Sequence, residues 1–235
     1  MEIGGIPVHV VRKDIKNLHV GVYPPTGRVR IAAPLQLDDD AVRLALVSRL
    51  GWIRRQQASF QQQERQSARE LVTGESHYYG GRRYRLDVIE DDGRPGVRLA
   101  SNRTIQLQVR PGMDRDQRLA VLQKWYRNQL YEQIPALRGK WESVVGVTAS
   151  DVRVRRMKTR WGSCNEQTGR IWLNLELIKK PPICLEYLVV HELVHLLERH
   201  HNERFAMLMD SAMPSWRQHR DALNRAPLAH EEWWY

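Results

Sequence analysis

Residues 185–197 limit the folding of this chain more than any other stretch. Leu185, Tyr187, Leu188, Val189, Val190, Leu193, Val194, Leu196 and Leu197 are apolar, so a helix here is buried on most sides. His191, Glu192 and His195 interrupt it. Two histidines four residues apart project from one helix face a turn apart, where both imidazoles reach one metal ion. Glu192, next to the first, is placed to act on water at such a metal without being a ligand, as the general base of a zinc hydrolase must. Such spacing also arises by chance on solvated helices. In a buried helix, however, two imidazoles and a carboxylate are costly unless something pairs them, and a metal ion meets that cost.

His201, ten residues after His191, is the expected third ligand, because a residue just past a turn can swing back over the metal. The long zinc motif has a glycine between its second and third histidines; here that position is Glu198. The chain is therefore expected to turn later, with His200 as a left-handed hinge and Asn202 capping a helix that carries Phe205, Leu208 and Met209. Glu198, seven residues after His191 on the same face, His200 and His219 remain alternative ligands.

Upstream, residues 152–157 alternate apolar and basic side chains like a half-exposed strand, and Arg170 to Leu175 forms a second candidate strand. Together they read as a hairpin placed before the metal helix. Between them lies Arg160-Trp161-Gly162-Ser163-Cys164. With Ile171-x-Leu173-Asn174, His191-Glu192-Leu193-x-His195-Leu196, and His201 followed by Arg204 and Phe205, these motifs resemble the YgjP-like metallopeptidases, relatives of the SprT-like proteases among the HExxH zincins. The resemblance covers roughly residues 150–225. It implies zinc on His191, His195 and His201, with Glu192 as the catalytic base. The family usually has Asn-His-Ser where this chain has His200-His201-Asn202. Cys164, beside Ser163, reads as a small buried residue rather than a nucleophile or fourth ligand.

The expected chemistry is water-mediated amide hydrolysis. Arg160, Trp161, Gly162, Asn174 and His219 are the expected substrate contacts. The strand around Ile171 to Asn174, or the one before Trp161, would hold an extended peptide. His219, Tyr187 and Arg160 are candidate oxyanion donors. Two other function classes stay open: a zinc hydrolase of nucleotides, and a metal-stabilised binding module linked to DNA-associated complexes.

A formal charge of +10 makes the surface attractive to polyanions, with Arg153, Arg155, Arg156, Arg160 and the pair Arg82-Arg83 prominent. A nucleic-acid or DNA-associated partner is therefore an expectation beside a protein or peptide substrate. No stretch is long and apolar enough for a membrane, and the start lacks a secretion signal, so cytoplasmic residence is the default. Two cysteines, Cys164 and Cys184, suggest no disulfide framework.

The expected fold is α+β. A β-rich module, residues 1–110, carries strands around 8–11, 18–22, 28–32, 78–79, 84–89, 97–100 and 105–109 and one long helix over about 38–69. A zincin-like domain, residues 111–235, follows the Pro111-Gly112 turn, with a small sheet, an HExxH helix and a long packing helix from Arg115 to about Val145, kinked at Pro135. No internal repeat is evident. The terminal His230-Glu231-Glu232-Trp233-Trp234-Tyr235 is expected to pack on the body or to enter the substrate groove, with His230 or Glu231 near the metal.

Overall fold

Strands and helices form an α+β architecture among residues 1–23, 27–62, 69–157 and 160–225, which the computed structural model describes. Met1–Ala68 and Arg69–Ala226 are separate compact units. Residues 230–235, and with them the expectation for the tail, lie outside the described residues.

In the first unit, β1 (Glu2–Ile3), β2 (Ile6–Lys13), β3 (His19–Tyr23) and β4 (Arg28–Pro34) form a sheet of order β1-β2-β4-β3. Alternation in β4 sends Val29, Ile31 and Ala33 into a core shared with Val42, Leu46 and Ile53. Helix α1 (Asp39–Val47) is capped by the Asp38 carboxylate, which accepts from the Ala41 N–H, and α2 spans Leu50–Gln62. The single helix expected over 38–69 is thus broken. Ser48 Oγ and the Arg49 guanidinium both donate to the Ala45 carbonyl, ending α1 there.

The second unit opens with β5 (Ser76–Tyr79), β6 (Arg82–Glu90), β7 (Gly96–Ser101) and β8 (Thr104–Val109), in order β5-β6-β8-β7. Helix α3 (Arg115–Val145) follows. An Asp114–Gln117 capping box starts it and Gly146, at φ +76°, ends it, while Pro135 is accommodated inside. Leu86, Ile105, Leu107 and Val109 share one core with Leu122, Tyr126, Leu130 and Ile134 of α3 and with Val190 and Leu193 further on. The boundary expected at 110/111 therefore falls inside this unit, because the second sheet shares its core with α3.

Both four-stranded sheets repeat one course: a two-glycine hairpin, a central parallel pair, an antiparallel edge strand, then an Asp-capped helix. The spacing is constant. Gly80-Gly81 stands 76 positions after Gly4-Gly5, with φ +56° and +77° against +56° and +78°, and Asp114 stands 76 after Asp38. Buried Ile105, Leu107, Val109 and Leu122 occupy the places of Val29, Ile31, Ala33 and Leu46. The chain does hold an internal repeat. It escapes a reading by residue identity because apolar type is kept while identity is not.

A three-stranded sheet, β9 (Asp151–Arg155), β10 (Gly162–Asn165) and β11 (Arg170–Asn174), lies in the order β10-β11-β9. β9 and β11 do not form the expected hairpin but pair in parallel, since β10 takes the antiparallel place beside β11 through the turn at Asn165–Gly169. A 3₁₀ turn (Leu175–Lys179) leads to α4 (Pro182–Val194), then α5 (Glu203–Ala212) and α6 (Trp216–Arg225). Among the described residues no helix is long and apolar enough to cross a membrane.

Candidate active site

Helix α4 starts on Pro182, whose missing N–H costs nothing in a first turn. Its apolar side chains fix it in the core, leaving His191 and His195 half-buried and Glu192 only 4% exposed. The helix stops at Val194, earlier than the turn expected at His200. The N–H groups of His195, Leu196, Leu197 and Glu198 fold back onto carbonyls of residues 191–194 in a tight turn. No residue from 196 to 202 takes a positive φ, so His200 is not a left-handed hinge. Asn202 accepts from the Phe205 N–H and starts α5 as expected.

This route returns His201 to α4. The Nε2 atoms of His191, His195 and His201 stand 3.1–3.2 Å from one another. Buried Phe205 backs all three rings at 4.7–5.0 Å between centroids. His195 Nδ1–H donates to the Glu198 carbonyl at 3.0 Å, leaving its Nε2 bare, and Tyr187 Oη lies 3.4 Å from His191 Nδ1. The alternative ligands are engaged elsewhere: Glu198 Oε1 accepts from the His200 N–H, and His219 Nε2 is 2.8 Å from Ser215 Oγ.

The cluster fits a divalent ion. Lone pairs of neutral imidazoles repel at this distance unless a cation lies between them. A tetrahedral zinc with bonds of about 2.0–2.1 Å would set its nitrogens about 3.3–3.4 Å apart, close to the triangle found here. Burial, reinforced by His195 and His201, pushes His191 down to about 3 and so favours the neutral form that metals require. Glu192 Oε2, adjoining the triad, is buried without a hydrogen-bond partner. Burial pushes this carboxyl up to about 8, with the Arg160 guanidinium pulling it back down.

Gly162 has a steric reason. A Cβ there would lie 2.4 Å from Glu192 Oε1 and 2.9 Å from its Cδ, so β10 passes close over the carboxyl and a side chain at 162 would displace it.

Histidine triad and carboxylate open into a cleft of about 790 Å³. Arg160, Trp161 and Gly162 line it as expected, and so does Tyr187. Asn174 does not. It is 4% exposed, its amide donates to the Met157 and Arg160 carbonyls, and its oxygen accepts from the Glu176 N–H, so it shapes the loop instead of meeting substrate. His219 lies outside the cleft lining, bonded to Ser215. β11 is hydrogen-bonded on both edges and cannot receive a peptide; among the described residues, the strand that borders the cleft with only one edge paired is β10. Arg153 and Arg155 lie instead over the Trp172 ring on the sheet's outer face, at 5.8 and 4.6 Å.

Sequence reasoning missed Arg199, Arg220 and Asn224, which reach the cleft from the turn after α4 and from α6. Nothing in local spacing marks them. Buried Lys180 was missed too: its ammonium lies 5.3 Å over the Trp161 ring, and burial pushes it down to about 8. Cys164 lines the cleft as a free thiol held protonated, pushed up to about 11 by burial and by the Glu192 and Glu166 charges.

Comparison with known proteins adds three findings. The family model described as YgjP-like, metallopeptidase domain, matches residues 17–226. No curated protein matches the chain. Among solved structures, the chain is similar to the metallopeptidase zymogen of Pyrococcus abyssi abylysin, at 19% identity and a TM-score of 0.37, over 40% of this chain and 99% of that one.

Proposed function

The chain belongs to the YgjP-like metallopeptidase family, and on that premise we propose that it is a zinc-dependent peptidase in which His191, His195 and His201 hold the metal and Glu192 moves the proton. One observation carries the reading: three Nε2 atoms converge within 3.2 Å in a cleft also lined by Glu192, whose buried Oε2 has no hydrogen-bond partner.

When bound, zinc supplies a Lewis acid that acidifies water and polarises a peptide carbonyl. The chain's residues supply the rest. Glu192 takes a proton from the attacking water as the C–O bond forms, and gives it to the amine nitrogen as the C–N bond breaks. The Glu198 carbonyl and the Tyr187 hydroxyl fix the rings of His195 and His191 from behind. The unpaired edge of β10 offers backbone groups to an extended peptide, which pairs there as an added strand.

Elemental analysis of the purified full-length protein, together with cleavage of unfolded casein, tests this. About one zinc per chain is expected, and Glu192→Gln lowers cleavage by about 10²–10⁴-fold while keeping the metal. The three arginines lining the cleft favour nucleoside triphosphates as a second substrate class to be run in parallel. Hydrolysis of nucleotides with no proteolysis would replace the peptidase reading.

A further inference from the structure

We propose that the cleft selects peptides bearing a carboxylate close to the scissile bond, with Arg160 and Arg220 as its receptors. The inference rests on the peptidase reading and names its substrate class.

Charge in the cleft is unbalanced. Arg160, Arg199 and Arg220 line it against the carboxylates of Glu166 and Glu192. Glu166 is matched, for its Oε1 lies 3.3 Å from the Arg199 guanidinium. Glu192 is buried and lines the same cleft as the histidine triad. Three guanidinium groups therefore face two carboxylates, of which only Glu166 is ion-paired in the cleft, leaving one arginine just before β10 and one on α6 with no ion pair to a cleft carboxylate among the described residues.

Arg220 is held in a suitable pose. Its guanidinium lies 5.2 Å from the centroid of the buried Trp216 ring, which Arg217 also approaches at 4.6 Å, and a guanidinium held against a ring can still donate to a planar acceptor. Its own carboxylate neighbour is Asp221, at 3.2 Å with both side chains about half exposed, a contact too solvated to satisfy the charge. Like charges in a recessed, partly desolvated cleft reinforce each other's pull on an anion.

A peptide supplies that anion as an Asp or Glu side chain or as its free C-terminus. The fork geometry accepts either, and the test separates them. Binding is read by fluorescence anisotropy on full-length Glu192→Gln protein, so that no turnover is needed. The labelled peptides are one with end groups blocked and Glu flanking the central bond, its Gln counterpart, the Gln peptide with a free C-terminus, and a Lys counterpart.

The Glu peptide, the free-acid peptide or both are expected to bind about tenfold or more tightly than the blocked Gln peptide, the gain of one charged hydrogen bond. Arg220→Glu and Arg160→Glu remove that preference and favour the Lys peptide. Arg43→Glu, an exposed change on α1, leaves it intact. Equal affinities across the peptides overturn the proposal, as does a preference that survives both cleft substitutions or is lost equally in Arg43→Glu. Failure of the peptidase reading shows separately, as acidic peptides that bind but are not cut by the protein with Glu192 restored.

Discussion

The two repeats of sheet and capped helix share a backbone course and differ in what their conserved places touch. In the first, a Cβ at Gly5 would meet nothing within 4 Å; at the matching Gly81 it would lie 2.8–2.9 Å from Pro181. The Gly80 and Gly81 N–H groups also donate to the carbonyls of Ile178 and Lys179, on the segment that leads into α4. The helices diverge likewise. α1 ends after nine residues, whereas α3 runs for 31 and shares its core with α4. The outer sheet faces diverge as well: in the second repeat Arg98, Gln106 and Asp87 form a hydrogen-bonded polar row, while the position matching Gln106 is Arg30. A repeated scaffold thus became the support for a reactive site by docking one turn and lengthening one helix.

Breaking the site itself has the largest expected effect. His201→Ala should lose stoichiometric zinc and casein cleavage together, leaving the second unit as silent as the first; elemental analysis that still found one zinc per chain would remove His201 from the ligand set. Next comes the paired test of the two cores. Leu46→Ala and Leu122→Ala, matching positions with almost no exposure, should each cost about 2–5 kcal/mol in urea unfolding. Only Leu122→Ala should also lower peptidase activity, and equal loss of activity in both would erase the functional distinction between the repeats.

A smaller contrast separates the hairpins. Gly5→Ala and Gly81→Ala both force a side chain into left-handed backbone, at about 1–2 kcal/mol. Gly81→Ala should cost more, because its methyl group meets Pro181; matching melting temperatures would show that this turn is not a docking point. The smallest effect is one of pH. His77, 5% exposed and 3.3 Å from Glu75, is pushed down to about 4 chiefly by burial, against 6.5 when unfolded. The unfolded chain therefore binds the proton first. Stability from the neutral ring is complete above about pH 6.5 and falls as pH drops toward 4. The matching position in the first repeat is Met1, so His77→Gln should flatten the acid limb of urea-denaturation curves for the second unit alone.

Elements set by local periodicity were legible in the sequence. The strands around Ile31 and Leu107 and the span of α3 from Arg115 to Val145 all follow from alternation and helical spacing. The spacing of His191 and His195 was legible for the same reason. Pairing at long range was not: nothing in residues 152–157 says whether the strand runs parallel or antiparallel to β11, because both orders bury Val152 and Val154. The repeat was hidden where Ile31 became Leu107 and Arg30 became Gln106. Arg220 was hidden because only the packing of α6 brings it to the cleft, and Asn174 was misread because a polar residue at a strand end can as readily satisfy a loop as a ligand.

The bare Cα of Gly162 joins the edge strand to the proton acceptor. A peptide pressing on the free edge of β10 pushes the same backbone that rests on the Glu192 carboxyl. Seating a guest and aiming the proton acceptor become one mechanical act, and the tolerance of that act is the width of a missing methyl group.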